Sequence, residues 1–186
     1  MTRWSVVVGA GLVVAACSGG GDGDDDGASL GDTLPPTEIT IPDIPAESSP
    51  GTGVVVVGVV PSSFAVTACQ LEPVDAGQLL RVTGAGTTGR GDPFQVEVLR
   101  FASATAAAET FTDTVTYSDT ARILQIQRFE VAGAVTDLRD PDARGTLLRV
   151  RPDGLAAAGL AGPPGTSSGS DGNDEGIVGL ALDLTC

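Results

Sequence analysis

The sequence predicts an all-β fold: a single antiparallel β domain, half-barrel or sandwich-like, carried behind a disordered acidic tether. Three observations lead there. From Val54 onward, short β-branched runs alternate with Gly, Pro, Asp and Ser clusters, the pattern of strands and turns. Within several of those runs apolar and polar residues alternate with a period of two, which gives each strand one buried and one wet face and favours antiparallel pairing. Before Gly53 the chain is rich in Asp, Gly and Pro and cannot bury enough apolar surface to offset its ordering entropy. With 186 residues, one domain with a core of its own is the natural size.

Residues 1–16 place Arg3 ahead of a short apolar stretch from Val6 to Val14, interrupted by Gly9, Ala10 and Gly11. That stretch is too short to span a bilayer as a helix and reads as a signal peptide. Val14-Ala15-Ala16-Cys17 follows, and resembles the lipobox of bacterial lipoproteins: an aliphatic residue, two small ones, then the Cys that is thioether-linked to diacylglycerol before cleavage. Cys17 is thus the expected lipidation site, carrying palmitate-type chains that hold the chain on the extracytoplasmic side of the cell membrane. Each buried CH₂ contributes about 0.8 kcal/mol, and two or more chains make the anchor stable.

Residues 17–53 are the expected tether. From Ser18 to Gly53 there are eight acids and no basic residue, with prolines at 35, 36, 42, 45 and 50. As a flexible coil such a length spans about 33 Å end to end, and like charge extends it further. Thr33, Thr37 and Thr40 beside prolines are either acceptors for O-linked sugars or plain linker residues.

Residues 54–186 form the expected β domain. Val54 to Val60 is a continuous apolar strand and Pro61-Ser62-Ser63 a turn. Phe64, Val66 and Ala68 then alternate with Ala65, Thr67 and Cys69. Gln78 to Thr83 sets Leu80 and Val82 opposite Arg81 and Thr83; Pro93 to Phe101 sets Phe94, Val96 and Val98 opposite Gln95 and Glu97. Glu109 to Tyr117 alternates Phe111, Val115 and Tyr117 with threonines. Arg122 to Phe129 and Thr146 to Arg151 are further strands, and Val178, Leu180, Leu182, Leu184 and Cys186 make the clearest apolar face. Helix is scarce; its best candidates are the alanine-rich stretches Ala102 to Ala108 and Leu155 to Leu160. Residues 162–176, glycine-rich and longer than an ordinary connection, read as a flexible loop.

Three cysteines are odd in number for an exported protein until Cys17 is assigned to lipid. Cys69 and Cys186 then remain as a pair for which a disulfide is the default in an oxidising compartment. Alternation puts Cys69 on the face opposite Phe64, Val66 and Ala68, whereas Cys186 shares the leucine face, so the bond requires a strand bend, a bulge or adjacency at the sheet edge.

Composition excludes several function classes. All 10 basic residues are Arg against 24 acids, a formal charge of −14, and there is no His. Ser-His-Asp and Cys-His nucleophiles and imidazole metal sites are absent. A strongly acidic chain with 4% aromatics argues against a nucleic-acid partner. No cofactor or metal is implied.

The lipobox Cys17, the low-complexity tether, the Val54-to-Gly58 strand, Val66-Thr67-Ala68-Cys69 and the terminal Leu182-Asp183-Leu184-Thr185-Cys186 together resemble the mycobacterial-type lipoprotein antigens. The resemblance implies a small β domain enclosed by a disulfide between an early strand and the C-terminal strand, on an acylated and often glycosylated surface antigen without catalytic residues. This chain departs from that plan in a longer middle, from Glu109 to Arg151, and in the glycine-rich insertion before the last strand.

Other strings have plainer explanations beside functional ones. Gly84 to Gly89 fits G-x-G-x-x-G but leads into another strand rather than a helix, so it lacks a phosphate cradle and reads as a glycine-rich hairpin loop. Arg90-Gly91-Asp92 is a tripeptide of the kind integrins recognise, an adhesion loop or ordinary turn chemistry. Asp171 to Gly176 resembles the front of a calcium loop, but Leu182 stands where the bidentate Glu belongs. Asp137, Asp140 and Asp142 are candidates for carboxylate chemistry on glycans, or an Asp-Pro turn.

The expected function is that of a non-catalytic, membrane-anchored surface lipoprotein, not an enzyme. The alternative is a carrier for a lipid or small apolar ligand at the cell envelope. Its partners are the membrane through Cys17 and a lipid or cell-wall glycan ligand.

Overall fold

A computed structural model describes residues 39–103, 109–137, 145–165 and 176–186. The signal peptide, Cys17, Thr33, Thr37, Asp140, Asp142 and most of the 162–176 loop, including Asp171 to Glu175, lie outside the described residues.

Ten antiparallel strands build one sheet: β1 Thr52–Val57, β2 Val60–Val74, β3 Gly77–Thr87, β4 Pro93–Ser103, β5 Thr110–Asp119, β6 Ile123–Val131, β7 Ala134–Asp137, β8 Leu147–Arg151, β9 Gly154–Ala161 and β10 Val178–Thr185. Their order is β7-β6-β5-β4-β3-β2-β1-β10-β9-β8, so strands consecutive in sequence pair except β7 and β8, which form the two edges, and β1 pairs with the distant β10. The sheet curls into a half-barrel. Among the described residues its margins approach at an antiparallel bridge, where the Gln125 N–H donates to the Gly162 carbonyl at 2.8 Å and the Gly162 N–H donates back at 3.2 Å.

The concave face holds the core. Period-two alternation sends Val82 of β3, Phe94, Val96 and Val98 of β4, Val115 and Tyr117 of β5, and Leu124 and Ile126 of β6 inward, where they meet Val55, Leu155, Leu180, Leu182 and Leu184. Phe64 of β2 is seated by absent side chains: a Cβ at Gly53 or Gly84 would run into its ring, and one at Gly86 into the Phe94 ring, the Ser63 carbonyl and the Phe64 Cβ. The Gly84-x-Gly86 string is therefore strand backbone in β3 that makes room for an aromatic ring, and only its continuation, residues 88–92, is a turn.

Four details differ from the sequence expectation. The first turn falls at Gly58-Val59, with Gly58 in the left-handed region at φ 64°, and Pro61 to Ser63 are already in β2 opposite Val56 to Val54. Glycine permits the two-residue turn there. Leu155 to Leu160 is strand β9, not helix, because its small side chains fit between β8 and β10 with both faces covered. Of the other helical candidate, Ala102 and Ser103 end β4 and 104–108 lie outside the described residues. The strand β7, after a turn at Ala132-Gly133, carries no strong pattern of its own.

The fourth difference is the boundary at 53. Residues 39–50 lie along the convex face of the C-terminal strands rather than standing free. A Cβ at Gly179 would strike the Thr40 carbonyl, and one at Gly145 the Ile41 side chain. Ile39, Ile41 and Ile44, spaced by prolines that hold the chain extended, supply apolar contact that composition averaged over 17–53 conceals.

Candidate functional site

Cys69 and Cys186 are bonded, with Cα atoms 6.1 Å apart and a sequence separation of 117. The geometric obstacle is removed by a bulge. Val66 pairs with Gly84 but Ala68 pairs with Thr83, so one extra residue enters β2 and reverses its alternation. Cys69 then lies opposite Val82, an inward residue, and Cys186 follows Leu184 on the same face.

A row of charge crosses the concave face at one end of the sheet. Register places Arg100, Asp113, Arg128 and Asp137 side by side on β4 to β7. Arg128 Nη1 lies 2.6 Å from Asp113 Oδ2 and its Nη2 2.5 Å from Glu130 Oε2; Arg100 is 3.7 Å from Asp113 and stacks 4.0 Å over the Phe111 ring. Burial pushes the Asp113 carboxyl above its ordinary value, with Arg100 and Arg128 pulling against it. Asp113 Oδ1 and Arg128 Nε have no hydrogen-bond partner among the described residues. Asp137, a candidate for chemistry on glycans, is buried and accepts the Thr146 hydroxyl at 2.6 Å, which ties β7 to the start of β8. Sequence reading missed this row. Its signal was a charged residue continuing the apolar face of three successive strands, at Arg100, Asp113 and Arg128.

A second cluster lies on the convex face, under residues 39–50. Asp183 of β10 accepts Arg151 Nη1 at 2.6 Å, Arg151 Nη2 at 3.2 Å and the Ser48 N–H at 2.8 Å. The Ser48 hydroxyl donates to the Asp183 carbonyl, and the Thr185 hydroxyl donates to the Ser48 carbonyl. Burial alone would raise the Asp183 carboxyl; the Arg151 and Ser48 hydrogen bonds outweigh it and hold the group below its ordinary value. The hydrogen bond to Asp183, aided by that carboxylate's charge, raises Arg151. This is a clamp that fixes the 39–50 segment, built from charge-assisted bonds.

Arg90-Gly91-Asp92 caps the β3–β4 hairpin and is exposed. The Thr88 N–H donates to the Asp92 carbonyl and the Gly91 N–H to the Thr88 carbonyl, both at 2.8 Å, with Gly91 at φ 88°. Beside it, the Tyr117 hydroxyl donates to Asp119 at 3.1 Å; burial and that bond push the phenol up to about 12. Phe64, Phe94 and Tyr117 form a continuous aromatic contact behind the turn.

The concave side that a carried lipid would have to enter is occupied: Val98, Leu180, Leu182 and Leu184 are wholly buried there. No family model, no curated protein and no solved structure matches the chain.

Proposed function

We propose that the chain is an exported lipoprotein, anchored to the outer side of the cell membrane through acylated Cys17, whose β domain serves as a non-catalytic surface module. The observation that carries this reading is the Cys69–Cys186 bond. A structural disulfide belongs to an oxidising compartment, and of the three cysteines in the sequence it leaves Cys17, at the end of Val14-Ala15-Ala16, for lipid. The frame shared with mycobacterial-type lipoprotein antigens supports the same reading. So does the use made of the buried charges, Asp183 in the clamp and Asp137 in holding β7 to the start of β8. Cys17→Ser tests it: the protein should move from the membrane fraction to the culture fluid and lose acyl labelling. Unchanged membrane retention of that variant would refute the anchor.

A further inference from the structure

The convex face of β3 to β6 differs from the rest of the surface. Register sets Thr83, Glu97, Thr116 and Gln125 in one cross-strand row, with Gln95 and Ser118 in the row beside it. Together with Pro164, which stands over the margin where Gly162 meets Gln125, they line a cleft of about 660 Å³, within the range that accepts a small-molecule-sized ligand.

Its electrostatics are unusual for this chain. The protein carries a formal −14, yet among the described residues the charged side chains lining the cleft are Arg81 and Glu97, paired at 2.7 Å. The remaining polar groups are hydroxyls and carboxamides. Gln125 Nε2 donates to the Thr116 hydroxyl at 3.2 Å and Gln127 Nε2 to Gln125 Oε1 at 3.3 Å, which orients the amides along the face. On the same face, Phe101 and Phe129 flank Thr112 by register, two strand spacings or about 10 Å apart. Phe129 is 39% exposed. It lies four positions along β6 from Gln125, about 13 Å.

We propose that this face binds an uncharged polysaccharide chain, its hydroxyls in the cleft and the C–H face of a further sugar ring against Phe129. Paired hydroxyls and amides match a polyhydroxyl ligand, which offers a donor and an acceptor at every oxygen. A patch without net charge on an acidic protein discriminates by charge: an anionic polymer is repelled by the surrounding field and, among the described residues of the cleft, finds no basic residue free of a carboxylate. Aromatic rings add apolar contact at low conformational cost. The proposal is independent of acylation, so the Cys17→Ser chain serves as the protein tested.

Native affinity electrophoresis through gels containing dextran, galactomannan, xylan or arabinogalactan, with polygalacturonate as the anionic comparison, reads the binding directly. At least one neutral polymer should retard the protein and polygalacturonate should not. Thr116→Arg, which fills and charges the cleft, and Phe129→Ala, which removes an exposed ring, should each weaken retardation about tenfold. Glu72→Gln, on the exposed end of β2, should leave it unchanged, and circular dichroism confirms that each variant is folded. Absence of retardation by every neutral polymer, equal retardation by polygalacturonate, or retention unaltered by both face substitutions would overturn the proposal.

Discussion

Strands β3 to β6 and strands β8 to β10 belong to the same sheet but solve different packing problems. In the first group the core lies on one side and water on the other, so Val96 and Val98 alternate with Gln95 and Glu97. In the second group residues 39–50 cover much of the outer side, and Ala156, Ala158, Ala181 and Asp183 are buried although they point away from the core. Alternation is therefore a property of what covers a strand, not of the strand itself. Where two layers press on one backbone, small residues are required, and a polar residue such as Asp183 must bring its partners with it.

The largest expected effect breaks this contrast directly. Ala158→Lys puts an ammonium on an outward but covered position of β9 and should cost about 4 kcal/mol or prevent folding. Thr112→Lys, outward on β5 and exposed, should stay within about 0.5 kcal/mol of the native chain. Urea denaturation compares the two; similar losses would mean that the outer sides are equivalent.

Two of the buried carboxylates sharpen the contrast through pH. Asp183 lies below its ordinary value and Asp113 above it. A depressed carboxyl stabilises fully above its unfolded pKa, about 4, and that contribution is lost as pH falls through the folded value. A raised one costs stability above its folded pKa, and acidification relieves the cost. Asp183→Asn should lower stability at neutral pH by about 2 kcal/mol, and its deficit should close below about pH 4. The native chain should instead gain stability relative to Asp113→Asn on acidification, as protonation relieves the cost of burying the Asp113 charge. Denaturation curves between neutral pH and pH 3 check both signs.

The smallest effect concerns a charge pair in the water-facing region. Arg81 and Glu97 approach as closely as many buried pairs, but the Arg81 side chain is 54% exposed. Arg81→Ala should cost about 0.5 kcal/mol or less, and salt should remove most of that. A larger loss in the same denaturation assay would place the pair with the Arg151–Asp183 clamp.

These differences also explain what was legible in the sequence. The faces of β3 to β6 and β10 could be read from alternation because Leu80, Phe94, Val115 and Leu182 repeat at every second residue. Strand β9 could not, since Leu155-Ala156-Ala157-Ala158 carries no period when both sides are covered and alanine favours helix locally. The 39–50 segment was obscured by its prolines and acids, which suggest solvent while its isoleucines make the contact. The disulfide partners were legible from cysteine arithmetic, but the bulge that aligns them depends on pairing with β3 and has no local signature. Arg100, Asp113 and Arg128 each left a trace as a charge on an apolar face, but that they and Asp137 form one row follows only from strand register.

The pairing of β1 with β10 has a consequence in time. Strands β2 to β7 can zip hairpin by hairpin as they emerge, each beside its predecessor. β1 emerges before them all, yet one of its edges stays open until β10 arrives, with Thr52 waiting for Thr185 and Val57 for Leu180. Such a long wait slows the final closure, because the chain loses entropy before the distant contact repays it. Throughout that interval Val54 to Val57 presents an apolar strand edge to any other chain. The same late step delivers Cys186 to Cys69, so oxidation of that pair would serve as a clock for seam closure.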